Sequence, residues 1–152
     1  MKHFDDLYSK YYESVYRFAF HFLRNYENAS DISQDVFTEL YGSILRRNEI
    51  RNVKSWLFKV TSNLCLSYLK RNNKIGEYKT TKQFEDEQEV PENSMVLEAL
   101  QRLEEKDQML LTLYNEGLSY KELAEITGIK YTSVGKTLSR TLKRLKNEME
   151  KK

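Results

Sequence analysis

The sequence predicts an all-α protein made of two small helical domains joined by a flexible acidic linker, the C-terminal one a helix-turn-helix. Three observations carry this expectation. Apolar residues recur at three- and four-residue steps through most of the 152 residues. One proline and five glycines leave few places for hairpin turns. Charge is parcelled out: residues 1–75 are net +4, residues 76–98 net −5 and residues 99–152 net +3, although the whole chain is only +2. Two mildly basic blocks around an acidic segment give a domain map of 1–75, a linker at 76–93, and 94–152.

The first block reads as helix throughout. Phe4, Leu7, Tyr8, Tyr11, Tyr12, Val15, Phe18, Ala19, Phe22 and Leu23 make a wide apolar stripe that ends near Arg24. Asn28 or Ser30 is expected to cap a second helix, with Asp31 in its first turn, where the helix dipole favours an acid. That helix turns Ile32, Val36, Phe37, Leu40, Ile44 and Leu45 inward and leaves Asp31, Gln34, Asp35, Thr38 and Glu39 outward. A polar break, RRNEIRN at 46–52, leads into a third helix over 53–71. Its core face is expected at Trp56, Leu57, Val60, Leu64 and Leu69.

Residues 76–93 have no apolar periodicity and hold EDEQEVPEN with the only proline, so they read as a linker. Fully extended, such a segment spans up to ~60 Å. The second block opens near Ser94 with Met95, Leu97, Leu100 and Leu103, and a helix around 106–116 stops at Gly117.

The most informative stretch follows, GLSYKELAEITGIKYTSVGKTLSRTLKRLK at 117–146. Ser119 with Glu122 three residues later is a capping box that starts a helix at Tyr120. Leu123, Ala124 and Ile126 are its apolar contacts, and Gly128 supplies the positive φ of a C-terminal stop. Ile129 plugs the turn before a second helix, from about Thr132 to Glu148. At 100° per residue Val134, Leu138, Leu142, Leu145 and Met149 share one side, while Ser133, Lys136, Arg140, Lys143 and Asn147 share the other. Six basic residues and no acid lie between Lys130 and Lys146, which suits phosphates and base edges better than a merely solvated face.

Other classes fare worse. His3, His21 and Cys65 supply no nucleophile–base set and no metal-ligand spacing, so neither catalysis nor a cofactor is expected. His21 lies among aromatics and reads as a packed side chain. A single cysteine makes no internal disulfide and fits a reducing compartment. The start, MKHFDDLY, lacks the apolar core of a signal peptide, and no apolar run approaches the ~20 residues that span a bilayer. A soluble, cytoplasmic protein without membrane insertion or small-molecule substrate is expected.

Two separate segments resemble one family. DISQDVFTEL at 31–40, followed by SWLFKVTSNLCLSYLKR at 55–71, resembles the promoter-melting domain of the extracytoplasmic-function sigma factors of bacterial RNA polymerase. The helix-turn-helix resembles the C-terminal DNA-reading domain of the same family, in the right order and with the acidic linker between. The resemblance implies a dissociable subunit that directs core polymerase to particular promoters, binds the −10 and −35 elements and helps separate the strands. It implies that Asp31, Gln34, Asp35, Phe37, Glu39 and Leu40 dock on a coiled coil of the largest catalytic subunit.

The break corresponds to the family's loop that captures a flipped −10 base, with Arg46, Arg47, Arg51 and Asn52 on the backbone and Asn48 at a base edge. Lys59, Asn63 and Ser67 match positions that contact the unpaired strand. Trp56 is a stacking candidate there, although a core anchor is the expected role. For the −35 element the resemblance points to Thr132, Ser133, Lys136, Thr137 and Arg140, with Tyr120, Lys121, Lys143 and Arg144 as phosphate contacts. Two residues depart from the family: Lys130 stands where a serine-like cap is usual, and Gly135 where a lysine or arginine is usual. An anti-sigma factor covering these surfaces is a further implied partner. The competing reading is a helix-turn-helix repressor or activator that works without polymerase core, as a dimer on palindromic sites.

Overall fold

The computed structural model describes residues 2–75 and 94–151; the expected linker at 76–93 lies outside the described residues. The chain divides into two compact units, Met1–Asp86 and Glu87–Lys152. Among the described residues the first unit holds α1 (Lys2–Leu23), α2 (Tyr26–Leu45) and α3 (Val53–Ile75). The second holds α4 (Ser94–Gln101), α5 (Glu105–Asn115), α6 (Tyr120–Thr127) and α7 (Tyr131–Glu150), and the described residues form no strand.

In the first unit α1 is the hub, packing on both α2 and α3. Val15, Phe18, Ala19, Val36, Leu40, Leu57, Phe58 and Cys65 have no exposed surface. Phe18 meets Phe58 edge-on at 5.4 Å, a geometry aromatic quadrupoles favour, and Phe22 at a tilt at 5.2 Å. The α1 stripe is built as its spacing requires, apart from Tyr8, which is 40% exposed.

Three readings of this unit need correction. Asn25, not Asn28 or Ser30, caps α2: its side chain accepts from the Asn28 amide at 2.8 Å. Arg24 turns the chain with a φ of +50°, so α2 starts sooner than its first buried residue suggests. The Tyr26 ring, stacked on Phe20 at 4.6 Å, secures that early start. Asn28 instead donates to the Tyr68 hydroxyl of α3.

At the other end of α2, Leu45 is 57% exposed rather than inward. The core face of α3 is also rotated from the expected one. Phe58, Thr61 and Cys65 join Leu57 at the centre, while Trp56, Val60, Leu64 and Leu69 are only half-buried. Small polar residues explain the rotation: Ser55, Thr61 and Ser62 are buried, letting α3 lie close to its neighbours. The Thr61 hydroxyl is satisfied by donating to the Leu57 carbonyl.

The second unit has an aliphatic core. Ala99, Leu113, Leu123 and Val134 are fully buried, with Leu100, Leu103, Met109, Leu110, Leu118 and Leu138 around them. The long α7 packs on α4, α5 and α6. Leu142 is 44% exposed, and Thr141 takes the inward place one residue earlier, its hydroxyl donating to the Thr137 carbonyl.

The helix-turn-helix forms as its sequence dictates. Ser119 Oγ accepts from the Glu122 amide at 3.1 Å, and Glu122 Oε1 accepts from the Ser119 amide at 2.8 Å. Gly128 stops α6 with a φ of +84°, a conformation open to glycine at no steric cost. α7 begins one residue earlier than expected, at Tyr131, and Lys130 at its N-cap makes no side-chain cap. Two ion pairs tie α7 down: Arg102 Nε to Glu148 Oε1 and Arg144 Nε to Asp107 Oδ2, each 3.0 Å.

Candidate functional site

Two surfaces of the first unit and one of the second gather the candidate residues. On α2, Asp31, Gln34, Asp35 and Glu39 are all exposed. Phe37 and Leu40 are not: at 2% and 0% exposure they belong to the core, and they hold this face up rather than form it. Phe37 does so under a ladder of rings from α1, with Phe4, Tyr8 and Tyr12 centred 5.0–6.5 Å from it. Because α2 starts at Tyr26, Glu27 extends the acids to Glu27, Asp31, Asp35 and Glu39, four residues apart each time. Such a spacing makes one stripe. Asp31, Asp35 and Glu39 have no ion-pair partner among the described residues. Tyr41, 42% exposed, flanks the stripe with its ring against Phe4. Glu27 was legible from its spacing to Asp31; Tyr41 was not, because only the α1–α2 packing brings its ring there.

The 46–52 loop and the outer side of α3 form the second surface. Arg46, Arg47, Asn48, Arg51 and Asn52 are exposed, as are Lys59, Asn63 and Ser67. Arg47 takes a φ of +59°, and the Arg47 and Asn48 amides donate back to the Ile44 and Ser43 carbonyls. The loop therefore leaves α2 by a defined turn. Asn52 has a structural task, since its side-chain oxygen accepts from the Ser55 amide at 3.0 Å and caps α3. Trp56 is not the core anchor that was expected. It lies about 180° around the helix from Cys65 and within about 60° of Lys59, Asn63 and Ser67. A half-buried indole thus shares the polar outer side.

The third surface is the outer side of α6 and α7. Thr132, Lys136, Arg140 and Lys143 are exposed, Ser133 and Thr137 are half-buried, and Tyr120 and Lys121 stand exposed at the start of α6. Arg144 does not join them as a free cation. It grips Asp107 with two hydrogen bonds, 3.0 and 3.2 Å, and this pairing raises its pKa. Its role is to fasten α7 to α5. Gly135 is half-buried, and a β-carbon there would stand 3.4 Å from Cε2 of Tyr120.

Neither His21 nor Cys65 is poised for chemistry. Burial, with Arg24 nearby, lowers the His21 pKa to about 4, and its Nε2 is buried without a hydrogen-bond partner among the described residues. Burial pushes the Cys65 thiol up to about 12. Among the described residues no three His, Cys, Asp or Glu side chains gather as a metal site would need. No described helix is long and apolar enough to cross a membrane.

Residues 7–75 match the family model of Sigma-70 region 2, and residues 94–145 match Sigma-70, region 4. The chain is 26% identical to RNA polymerase sigma factor YlaC of Bacillus subtilis, over 99% of this chain and 96% of the relative. It is 27% identical to ECF RNA polymerase sigma factor SigM of the same organism, over 93% and 92% of the two chains. Its fold is similar to that of the sigma factor RpoE from Bartonella quintana, solved in complex with the anti-sigma factor NepR. That likeness has a TM-score of 0.76 at 20% identity and covers 99% of this chain and 98% of the other.

Proposed function

The chain belongs to the sigma-70 family, in the extracytoplasmic-function group of RNA polymerase sigma factors, and from that premise we propose how its residues divide the work. It binds core polymerase, takes it to promoters with particular −10 and −35 elements, and starts transcription of a specific regulon. The chemistry of RNA synthesis is the polymerase's.

The observation that carries the division is the opposite sign of two faces, the acids of α2 and the bases of α7. Asp31, Asp35 and Glu39, with Gln34 between, meet a basic coiled coil of the largest catalytic subunit. Unpaired acids on a stiff helix steer such an encounter and fix its register. Arg46, Arg47, Asn48 and Arg51 hold the −10 strand after melting, and Lys59, Asn63 and Ser67 follow it along α3. Trp56, on that same side, offers a ring for a base to stack on, a contact that stabilises a single strand by about 1–3 kcal/mol per base.

Thr132, Ser133, Lys136, Thr137 and Arg140 read the −35 element. Tyr120, Lys121 and Lys143 set the register on phosphates. An anti-sigma factor that covers these surfaces keeps the protein inactive in the cytoplasm, and release brings it to the nucleoid. The domain limits are 1–75 and 94–152, with 76–93 as the flexible connection.

Run-off transcription tests this, with the protein mixed with purified bacterial core polymerase and genomic fragments. Discrete transcripts that need the protein, and that vanish with Asp35→Arg, are the expected result. Footprints on a palindrome without core binding would instead point to a repressor that acts alone.

A further inference from the structure

Between Leu40 and Gly76 the chain holds eight lysines and arginines and one acid, Glu49. That acid stands in the 46–52 loop, with Arg46, Arg47 and Arg51 within three residues of it. Glu49 is exposed, and among the described residues it makes no ion pair or hydrogen bond, with these arginines or with any other group. The fold therefore gives it no task. Holding a strand makes its presence costlier, because a carboxylate amid phosphates opposes the attraction that the arginines supply.

The backbone that carries Glu49 is pinned on both sides. The Arg47 and Asn48 amides donate to the Ile44 and Ser43 carbonyls, each at 3.0 Å, and Asn52 caps α3 through the Ser55 amide. Ile50 is the half-buried residue between exposed Glu49 and exposed Arg51. Asn48 precedes with an exposed side-chain amide that has no hydrogen-bond partner among the described residues.

A carboxylate accepts hydrogen bonds at two oxygens and donates none. A base taken out of the stack is read on its Watson–Crick edge. Guanine alone shows two donors side by side there, N1–H and the N2 amino group. Cytosine and adenine set one amino donor beside an acceptor nitrogen, which repels the second oxygen. Thymine offers one N–H between two carbonyls. The remaining group on the guanine edge, O6, is an acceptor and suits the donor end of an asparagine.

We propose that Glu49 makes the 46–52 loop selective for guanine in the melted −10 strand, its two oxygens accepting from N1–H and the N2 amino group while Asn48 donates to O6. This deepens the −10 assignment and rests on it. The arginines hold the strand whatever its sequence, and Glu49 determines which base the loop accepts.

The test uses core polymerase reconstituted with the full chain, on fork-junction DNA built from a promoter mapped by run-off transcription. Each −10 position of the exposed strand carries guanine, adenine, cytosine, thymine or hypoxanthine in turn, hypoxanthine being guanine without its N2 amino group. At one position wild type should bind guanine about 10-fold tighter than adenine, cytosine or thymine, and about 3- to 10-fold tighter than hypoxanthine. Glu49→Gln keeps the size of the side chain but exchanges one acceptor for a donor. It should lose about 10-fold on guanine and bind the other bases at least as well as wild type. Arg51→Ala reads strand holding alone: it should weaken every probe alike and flatten the salt slope by about 0.7.

Wild-type indifference to the base at every −10 position would overturn the proposal. So would a guanine preference that persists in Glu49→Gln, or a gain in that variant equal for all bases, since the acid would then only repel phosphate. If Arg46→Ala and Arg51→Ala change neither affinity nor slope, the loop does not hold the strand, and the −10 assignment fails together with the selectivity built on it.

Discussion

Aromatic rings hold α1–α3 together, whereas α4–α7 are held by aliphatic side chains and fastened by ion pairs. In the first unit the rings form two groups, Phe4, Tyr8 and Tyr12 around Phe37, and Phe22 and Phe58 around Phe18. In the second, Tyr114, Tyr120 and Tyr131 are 45%, 43% and 60% exposed, and none makes a ring–ring contact among the described residues. The lesson concerns what each unit presents. Rings spent inward give α2 a stiff support, so its acids stand at fixed spacing for a protein partner. Rings left outward in the second unit carry hydroxyls to the surface, beside the acid-free stretch of α7 up to Lys146, which suits a phosphate backbone.

The comparison breaks most readily in the cores. Phe18→Ala should destabilise the first unit by about 4 kcal/mol, because it removes a buried ring and leaves a cavity. Denaturant unfolding followed by Trp56 fluorescence reads that unit alone, Trp56 being the only tryptophan. An effect below about 1 kcal/mol would show that the rings are not what holds α1–α3.

Protonation tests the same core. His21 titrates near 6.5 when unfolded and at about 4 when folded, owing first to burial and then to Arg24. The unfolded chain therefore binds more protons between those values, and stability falls as pH drops from about 6.5 to about 4. The full loss is about 3 kcal/mol and levels off below. In His21→Phe this slope should flatten in the Trp56 signal.

Gly135→Ala sharpens the comparison from the other side. Since the new β-carbon makes only ordinary contact with Tyr120, thermal melting should show a gain of about 0.5–1 kcal/mol.

The smallest effect belongs to the ion pairs. Glu148, hydrogen-bonded to Lys151 and Arg102, has its pKa lowered from 4.5. The stability it adds is present above that value and is lost as pH falls through its lower folded pKa. Arg102→Ala should lower the melting temperature slightly at neutral pH, and the difference should vanish in high salt. Survival of the difference at 1 M salt would mean the arginine acts through packing.

Much of this was written in local sequence. The capping box at Ser119 and Glu122, the stop at Gly128, the acid-free stretch from Lys130 to Lys146 and the outward Asp31, Gln34, Asp35 and Glu39 all depend on residues within a turn or two of each other. Side-chain period and backbone sterics determine such features before any tertiary contact forms. Tertiary structure decided the rest. Whether Trp56 faced in or out depended on how closely Ser55, Thr61 and Ser62 let α3 approach its neighbours. Whether Arg144 met phosphate or Asp107 depended on α5 lying beside α7. Tyr120 met Gly135 because α6 packs on α7. Periodicity says which residues share a side; only the packed partner says which side is covered, because burial belongs to pairs of elements and not to one of them.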